Sequence, residues 1–465
     1  MKITFWGAAR EVTGSKHLLE VNGTTYLLDC GMFHGHKSVE LEKKNRDFLV
    51  PPSDIKEIIL SHAHIDHSGL LPYFVSNGFR GHIYTTPATA DLCSYMLLDS
   101  AHIQELDHSY ADRHEIHNEK VYGTPLYTTT DIPAVMERFI TFNYQHEHKI
   151  DDNISVIFYD AGHVLGSAIV EIYVFENHTR KTLVFSGDLG RKGLPILRDP
   201  TYVEKADFVL IESTYGGRLH DPVGNMKGDV EQVVNDTFKR GGKIIIPAFS
   251  LERTQEIIYL LHLLEDEGKI PNIPIYVDSP LSLNLTQVFQ MHPESYDMET
   301  YQAFLMHQDN PFGFGKLKFV RSTEESKALN GIQEPCIIIS SSGMCEAGRI
   351  RHHIANNIEN PNNTILIIGY QAEGTLGRKL VDKAKSVHIF GIDHPVRAEI
   401  RVLNSFSSHA DKADIIDWLS HIKGVQKLFL VHGEDDQMIP LKDHIQQELH
   451  IDNIYIPSRG DSIEL

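Results

Sequence analysis

His62, His64, Asp66 and His67 fall within one short stretch, SHAHIDHSG, straight after the apolar run Ile58, Ile59 and Leu60. Imidazole and carboxylate groups crowded where a strand ends are suited to holding metal ions. His62 and His64, two apart on an extended turn, can aim ring nitrogens at one ion, while Asp66 and His67, beyond the bend, face a second. A donor set of nitrogen and oxygen without thiolate suits zinc in a hydrolytic site, with manganese and iron as the alternatives. Two other H-x-H pairs, His34/His36 and His146/His148, lack a following Asp-His and read as loop pairs. His352/His353 and the histidines between His102 and His117 read as solvated positions on helical or polar segments.

Further residues capable of acid–base or metal chemistry recur after apolar runs. Asp29 follows YLL, His163 follows SVIFYDAG, Asp188 follows TLVFSG and Glu212 follows FVLI. His409 comes just after VLNSFSS, and His432 follows LFLV. The carboxyl ends of strands are where α/β proteins bind ligands, so these positions form one candidate rim.

The elements that must present this rim are legible as patterns. Short β-rich runs (ITFW, KHLLEV, TTYLLD, EIILSH, HIYTT, SVIFYD, AIVEIYVF, KTLVFSGD) fill the first half of the chain. From about residue 208 strands alternate with helical periodicity, which reads as a parallel α/β unit. CIIISSSGM and TILIIGYQ continue it, and VRAEIRVLNSF, ADIIDWLSHI and KLFLVHGE close the chain.

Composition bounds the class. A chain of 465 residues is long enough for two or three compact units. With 41% hydrophobic and 23% charged residues it falls among globular rather than disordered proteins. Its first residues have no apolar core like that of a signal peptide, and no apolar run reaches the roughly 18 residues of a membrane span. Cys30, Cys93, Cys336 and Cys345 are widely separated, which fits reduced thiols in a cytoplasmic protein. The formal charge of −20 disfavours a nonspecific nucleic-acid coat, so binding of a polyanion would need a local site.

Five marks in order, Asp29 in LLDCG, HAHIDH, His163 in AGHVLGS, Asp188 in FSGDLG and His432 in LVHGE, resemble the metallo-β-lactamase superfamily. Glu212 in IESTYG, His409 in FSSHAD and His432 resemble the three motifs of the β-CASP nucleases within it. SSSGMCEAGR, GYQAEGTLGR and DSPLS are similar to further stretches of that group. The resemblance implies an αββα metallo-β-lactamase sandwich from residues 1–207 and 397–465, interrupted by an inserted parallel α/β β-CASP domain at 208–396. It further implies a zinc-dependent ribonuclease, mainly an endonuclease, working on single-stranded RNA in an interdomain cleft. As the chain opens on its first strand, the KH domains of archaeal relatives are expected to be absent. The long C-terminal extension of RNase J-type enzymes is likewise not expected.

Carried over to this chain, the resemblance implies two zinc ions, one on His62, His64 and His163, the other on Asp66, His67 and His432, with Asp188 bridging. Two such ions promote hydroxide attack on a phosphodiester. With Asp66, Asp188 and a hydroxide they leave a net charge of about +1 at the reacting phosphate. Asp29 would orient a ligand histidine. His409 would be the general acid, held by Glu212. Ser341, Ser342 and Gly343, followed by Arg349, form a turn suited to gripping an RNA phosphate. The competing readings are a small-molecule hydrolase of the same superfamily, a DNA nuclease and a non-catalytic scaffold. Sequence leaves open a monomer or a homodimer.

Overall fold

The computed structural model describes residues 1–35, 38–113, 124–176, 179–307 and 311–465. His36, His114 and His117 lie outside the described residues. Two compact units emerge: residues 1–192, 199–219 and 408–465 form the first, and 193–198 with 220–407 the second.

Among the described residues, the first unit is built on two seven-stranded sheets. One runs in the order Ser462–Glu464, Lys2–Phe5, His17–Val21, Thr24–Leu28, Ile55–Ile59, Ile83–Thr85, Phe139–Thr141. The other runs Ile454–Tyr455, Lys427–Val431, Phe208–Glu212, Thr179–Phe185, Ala168–Glu176, Ile154–Asp160, His148–Lys149. Alternate residues of each strand point to opposite faces. Phe5, Leu19, Tyr26, Leu28 and Ile59 from one sheet therefore meet Val156, Phe158, Val170, Phe185 and Phe429 from the other in one buried core. The opposite face of the second sheet, with Val184, Val209, Ile211, Leu428 and Leu430, packs on Ile415, Trp418 and Leu419 of helix Lys412–Ser420. It also packs on Met438, Leu441 and Ile445 of helix Asp435–Leu449. In the first sheet, strands Ile55–Ile59, Ile83–Thr85 and Phe139–Thr141 pair in parallel and are joined through helices, as parallel neighbours require. The result is the α/β sandwich with an inserted α/β domain that the sequence implies.

The second unit holds a six-stranded sheet, all parallel, in the order Leu317–Phe319, Ile275–Asp278, Ile337–Ser340, Ile244–Pro247, Thr364–Ile367, Glu399–Val402. Its runs of isoleucine are buried on both faces, the usual state of parallel strands. Four free cysteines are all buried, and no disulfide joins them.

The expected boundaries shift at both joins. Phe208–Glu212 pairs with Thr179–Phe185 and with Lys427–Val431, so it belongs to the first unit, not to the insert. Glu399–Val402 pairs with Thr364–Ile367, so the stretch from 397 to 407 belongs to the second unit. Phe208–Glu212 is buried along its whole length, and such an apolar run looks the same whichever sheet receives it.

Asp278 ends the strand Ile275–Asp278 and is a buried hub of the second unit. Arg349 Nη1 donates to its Oδ1 at 2.6 Å, while His353 Nε2 (2.6 Å) and Ser326 Oγ (2.5 Å) donate to Oδ2. His353 is therefore a buried hydrogen-bond partner and not a solvated position; its exposed neighbour in the motif, His352, stacks on Phe390 at 4.3 Å. Burial alone pushes the Asp278 carboxyl up, but the bonds from His353, Ser326 and Arg349 outweigh it and hold it below the usual carboxylate range. The stability it contributes is thus complete above the ordinary carboxylate pKa and is lost as pH falls through the lowered one. Asp278→Ala strands an arginine and a histidine without their carboxylate and is expected to cost about 3–5 kcal/mol, read from urea unfolding.

Candidate metal centre

The first unit gathers the strand-end residues into one buried cluster. Asp29 follows Thr24–Leu28, and the HAHIDH turn follows Ile55–Ile59 and opens the short helix Ile65–Ser68. His163, Asp188 and His432 follow Ile154–Asp160, Thr179–Phe185 and Lys427–Val431, and Glu212 ends its own strand. Asp29 and His432 take left-handed backbone angles, φ 57° and 50°, which bend the chain sharply as it leaves each strand. His432 N–H donates to Ala8 O (2.7 Å) and Ser15 N–H to Asp66 O (2.8 Å), so the loop between the first two strands fixes the His432 and HAHIDH turns.

Ligand-type atoms of His62, His64, His163 and Asp188 lie within 4.8 Å of one another, and so do those of Asp66, His67 and His432. Asp188 connects the two groups. Its Oδ2 is 3.6 Å from His62 Nε2 and 3.5 Å from His163 Nε2. Its Oδ1 is 3.2 Å from His67 Nε2 and 3.5 Å from His432 Nδ1. Asp66 Oδ2 is 3.6 Å from His432 Nε2. His146, His148 and the exposed His34 belong to neither group; the His148 ring stacks on Phe142 at 3.8 Å.

Hydrogen bonds around the cluster fix which nitrogens face inward. His67 Nδ1 donates to Asp29 Oδ2 (2.6 Å), leaving Nε2 for the centre. Ser61 Oγ donates to Asp29, so the contact of 3.0 Å between His62 Nδ1 and Ser61 Oγ is a bond donated by the ring. Thr214 Oγ1 donates to His432 O, and His432 Nδ1 lies 3.1 Å from the same hydroxyl, which it can use as acceptor. The remaining nitrogens of His62, His67 and His432 and those of His64 and His163 then oppose one another: His62 Nε2 and His64 Nδ1 at 3.1 Å, His163 Nε2 and His64 Nδ1 at 3.3 Å, His67 Nε2 and His432 Nε2 at 3.2 Å. Asp188 Oδ1 is buried with no hydrogen-bond partner. Converging lone pairs and a buried carboxylate oxygen fit cations shared between imidazoles and carboxylates.

For His62, His64 and His163 the electrostatics agree with that donor set, whereas His67 must give up a proton to ligate. Burial and the neighbouring histidines hold His62 and His163 well below the usual imidazole pKa, and burial lowers His64 to about 4. All three are neutral at pH 7, the form that ligates metal. Burial also opposes charge on His67, yet the carboxylates of Asp188 and Asp29 prevail and raise it well above its ordinary value. Asp188, which burial alone would push up, is held well below the carboxylate range by His432 and His67.

Asp29 is itself buried and held by Ser15 Oγ (3.1 Å) and by Ser61 N–H (2.8 Å) and Oγ (3.1 Å). Removing it would free the His67 and His62 rings at once. Asp29→Ala is expected to weaken metal binding roughly 10- to 100-fold, measured by competition with a chelating dye.

Beside the cluster, His409 Nδ1 donates to Glu212 Oε1 at 2.9 Å. Leu189 N–H donates to the same oxygen (2.9 Å) and Thr214 N–H to Oε2 (3.1 Å), so Glu212 is immobilised by the backbone. Burial works against charge on His409, but Glu212, Asp188 and Asp66 raise its pKa above the ordinary imidazole value. Its Nδ1 is 3.8 Å from Asp188 Oδ2, and its ring centre is 4.5 Å from that of His163. Ser15, Ser61 and Thr214 escaped the sequence reading; Ser61 and Thr214 lie inside the SHAHIDH and ESTYG motifs, next to residues it singled out.

In the second unit, Ser341 Oγ donates to Ser279 Oγ (2.9 Å) and lies 2.7 Å from Ser250 Oγ. Ser342 Oγ accepts from Ala347 N–H (3.2 Å), and Gly343 is buried. Two of the Arg349 donors are engaged by Asp278 and by Arg321 O (3.2 Å).

Three family models match the chain: a metallo-beta-lactamase superfamily domain over 18–188, a Beta-Casp domain over 254–380, and a Zn-dependent metallo-hydrolase RNA specificity domain over 393–457. Ribonuclease TTHA0252 of Thermus thermophilus is 35% identical over 95% of this chain and 95% of its own length. An RNase J-like protein of Methanocaldococcus jannaschii is 30% identical over 98% of each chain. The transcription termination factor FttA of the same organism is 30% identical over all of this chain and 72% of its own. A crystal structure of a protein of unknown function from Enterococcus faecalis shares the fold, with a TM-score of 0.56, 12% identity, and coverage of 100% of this chain and 99% of that one. With its cluster of imidazoles and carboxylates at the strand ends of a two-sheet sandwich, the chain belongs to the β-CASP family of metallo-β-lactamase-fold nucleases.

Proposed function

We propose that this protein is a zinc-dependent ribonuclease, mainly an endonuclease, that holds two zinc ions and hydrolyses single-stranded RNA to 5′-phosphate and 3′-hydroxyl ends. The observation that carries the reading is the division of the Asp188 carboxylate, one oxygen toward His62 and His163 and the other toward His67 and His432. His62, His64 and His163 would hold one ion, Asp66, His67 and His432 the other, with Asp188 common to both. Zinc, when bound there, polarises phosphate oxygens and makes water a stronger acid.

The remaining chemistry belongs to side chains. Glu212 engages His409 Nδ1, which leaves Nε2 as the atom that delivers a proton to the departing 3′-oxygen. The Glu212 carboxylate at Nδ1 favours the protonated ring. Asp29 keeps His67 in the tautomer whose Nε2 faces the centre. Ser341, Ser342 and Gly343, with the donors of Arg349 not engaged by Asp278, are assigned to the RNA backbone.

Ribonuclease TTHA0252 and the RNase J-like protein support RNA as the substrate. Among the described residues no helix is long and apolar enough to cross a membrane. Incubation with 5′-labelled single-stranded RNA, matched DNA and duplexes, with and without chelator, tests the reading. Internal cuts in single-stranded RNA that chelator abolishes are expected. Cleavage confined to DNA, or persisting in chelator, would contradict it.

A further inference from the structure

In the second unit Phe249 follows the central strand Ile244–Pro247 and is 36% exposed. The Cδ2–Cε2 side of this ring lies against two glycines. A Cβ built on Gly343 would sit 2.7 Å from Phe249 Cδ2, and one on Gly369 would sit 3.3 Å from Cε2. Any side chain at Gly343 would lift the ring from its bed. The two glycine loops are tied together by buried Gln371, whose Nε2 donates to Gly343 O (2.8 Å) and Gly369 O (3.0 Å). Thr254 anchors the Phe249 backbone, donating to its carbonyl from Oγ1 at 2.7 Å.

The ring also occupies a telling place in the sheet. From Ile244–Pro247 the chain moves to Ile275–Asp278 on one side; from Thr364–Ile367 it moves to Glu399–Val402 on the other. Loops that leave neighbouring strands in opposite directions open a crevice at the strands' carboxyl ends, the usual ligand position in such sheets. Phe249 and Gly369 are the residues at that switch point, and Tyr370, next in sequence, is 48% exposed. Ser250, adjacent to Phe249, belongs to the hydroxyl triangle with Ser279 and Ser341. A lone exposed phenylalanine needs no explanation. A ring bedded on two glycines, locked by a buried amide and bordered by hydroxyls is a flat, rigid and wettable surface.

We propose that Phe249 is a stacking platform for one nucleobase of single-stranded RNA, with the Ser250–Ser279–Ser341 hydroxyls beside it for the ribose or phosphate of the same nucleotide. The inference rests on the ribonuclease reading and adds a base-binding position to it. Stacking on an aromatic face tolerates any base, so this contact gives affinity and register without sequence preference.

The test uses the full chain carrying His409→Ala, to slow cleavage, and a fluorescent single-stranded RNA in anisotropy titrations. Phe249→Leu keeps an apolar side chain but removes the π face, and is expected to weaken binding roughly 5- to 150-fold, with Phe249→Trp restoring it. An RNA with one abasic position, moved along the strand, should bind the Phe249 protein less well at one register and show no such dip with Phe249→Leu. Unchanged affinity of Phe249→Leu, or no abasic dip with the Phe249 protein, overturns the platform while leaving the ribonuclease reading intact. No binding of single-stranded RNA by the Phe249 protein overturns both.

Discussion

Asp188→Asn is expected to reduce bound zinc to below about one ion per chain and to abolish RNA cleavage. The substitution preserves shape but replaces one carboxylate oxygen with an N–H donor, so one of the two histidine groups meets a hydrogen where it needs a lone pair. Asp188 is 2% exposed, and the neighbouring Glu212 carboxylate is already engaged by His409, Leu189 N–H and Thr214 N–H. The loss should exceed the roughly 10- to 100-fold that an outer partner such as Asp29 carries, because Asp188 serves both groups directly. Metal analysis of the dialysed protein and a cleavage assay with labelled RNA check it together. Asp66→Ala is the milder comparison, since it touches the His67 and His432 group alone.

The second large effect separates proton transfer from metal binding. His409→Ala should keep its zinc and its affinity for RNA, yet cleave about 10²- to 10⁴-fold more slowly, the usual contribution of a positioned general acid. The geometry supports that split: His409 is oriented by Glu212, and Glu212 is fixed by backbone N–H groups of Leu189 and Thr214, independently of the histidines that face Asp188. Single-turnover cleavage with saturating protein isolates the step. Loss of zinc in this variant would instead assign His409 to the metal group, and undiminished cleavage would remove it from the chemistry.

Much of this site was legible in the sequence for a physical reason. Each residue of the cluster sits where a strand ends, and an apolar run followed by histidine or aspartate records that placement directly, as in IILSHAH, LVFSGD and LFLVH. The partners that orient them were not legible. Ser15, Ser61 and Thr214 are common hydroxyl residues, and only backbone paths that cross from strand to strand bring them to Asp29 and His432. His353 was hidden for a related reason: its partner Asp278 is far away in sequence, and a histidine on a polar helix looks solvated until the fold closes over it. The domain joins were misplaced because FVLIE carries the same apolar signature in either sheet, so only pairing reveals its neighbours. The bed under Phe249 likewise depends on glycines from two distant loops.

In the proposed site one buried carboxylate, Asp188, organises two metal ions. The most direct test is the zinc content of the purified, reconstituted and dialysed protein, measured by inductively coupled plasma mass spectrometry against protein concentration. About two zinc ions per chain are expected. A value at or below about one would contradict it, because the His62 and His67 groups would then not both be metal sites.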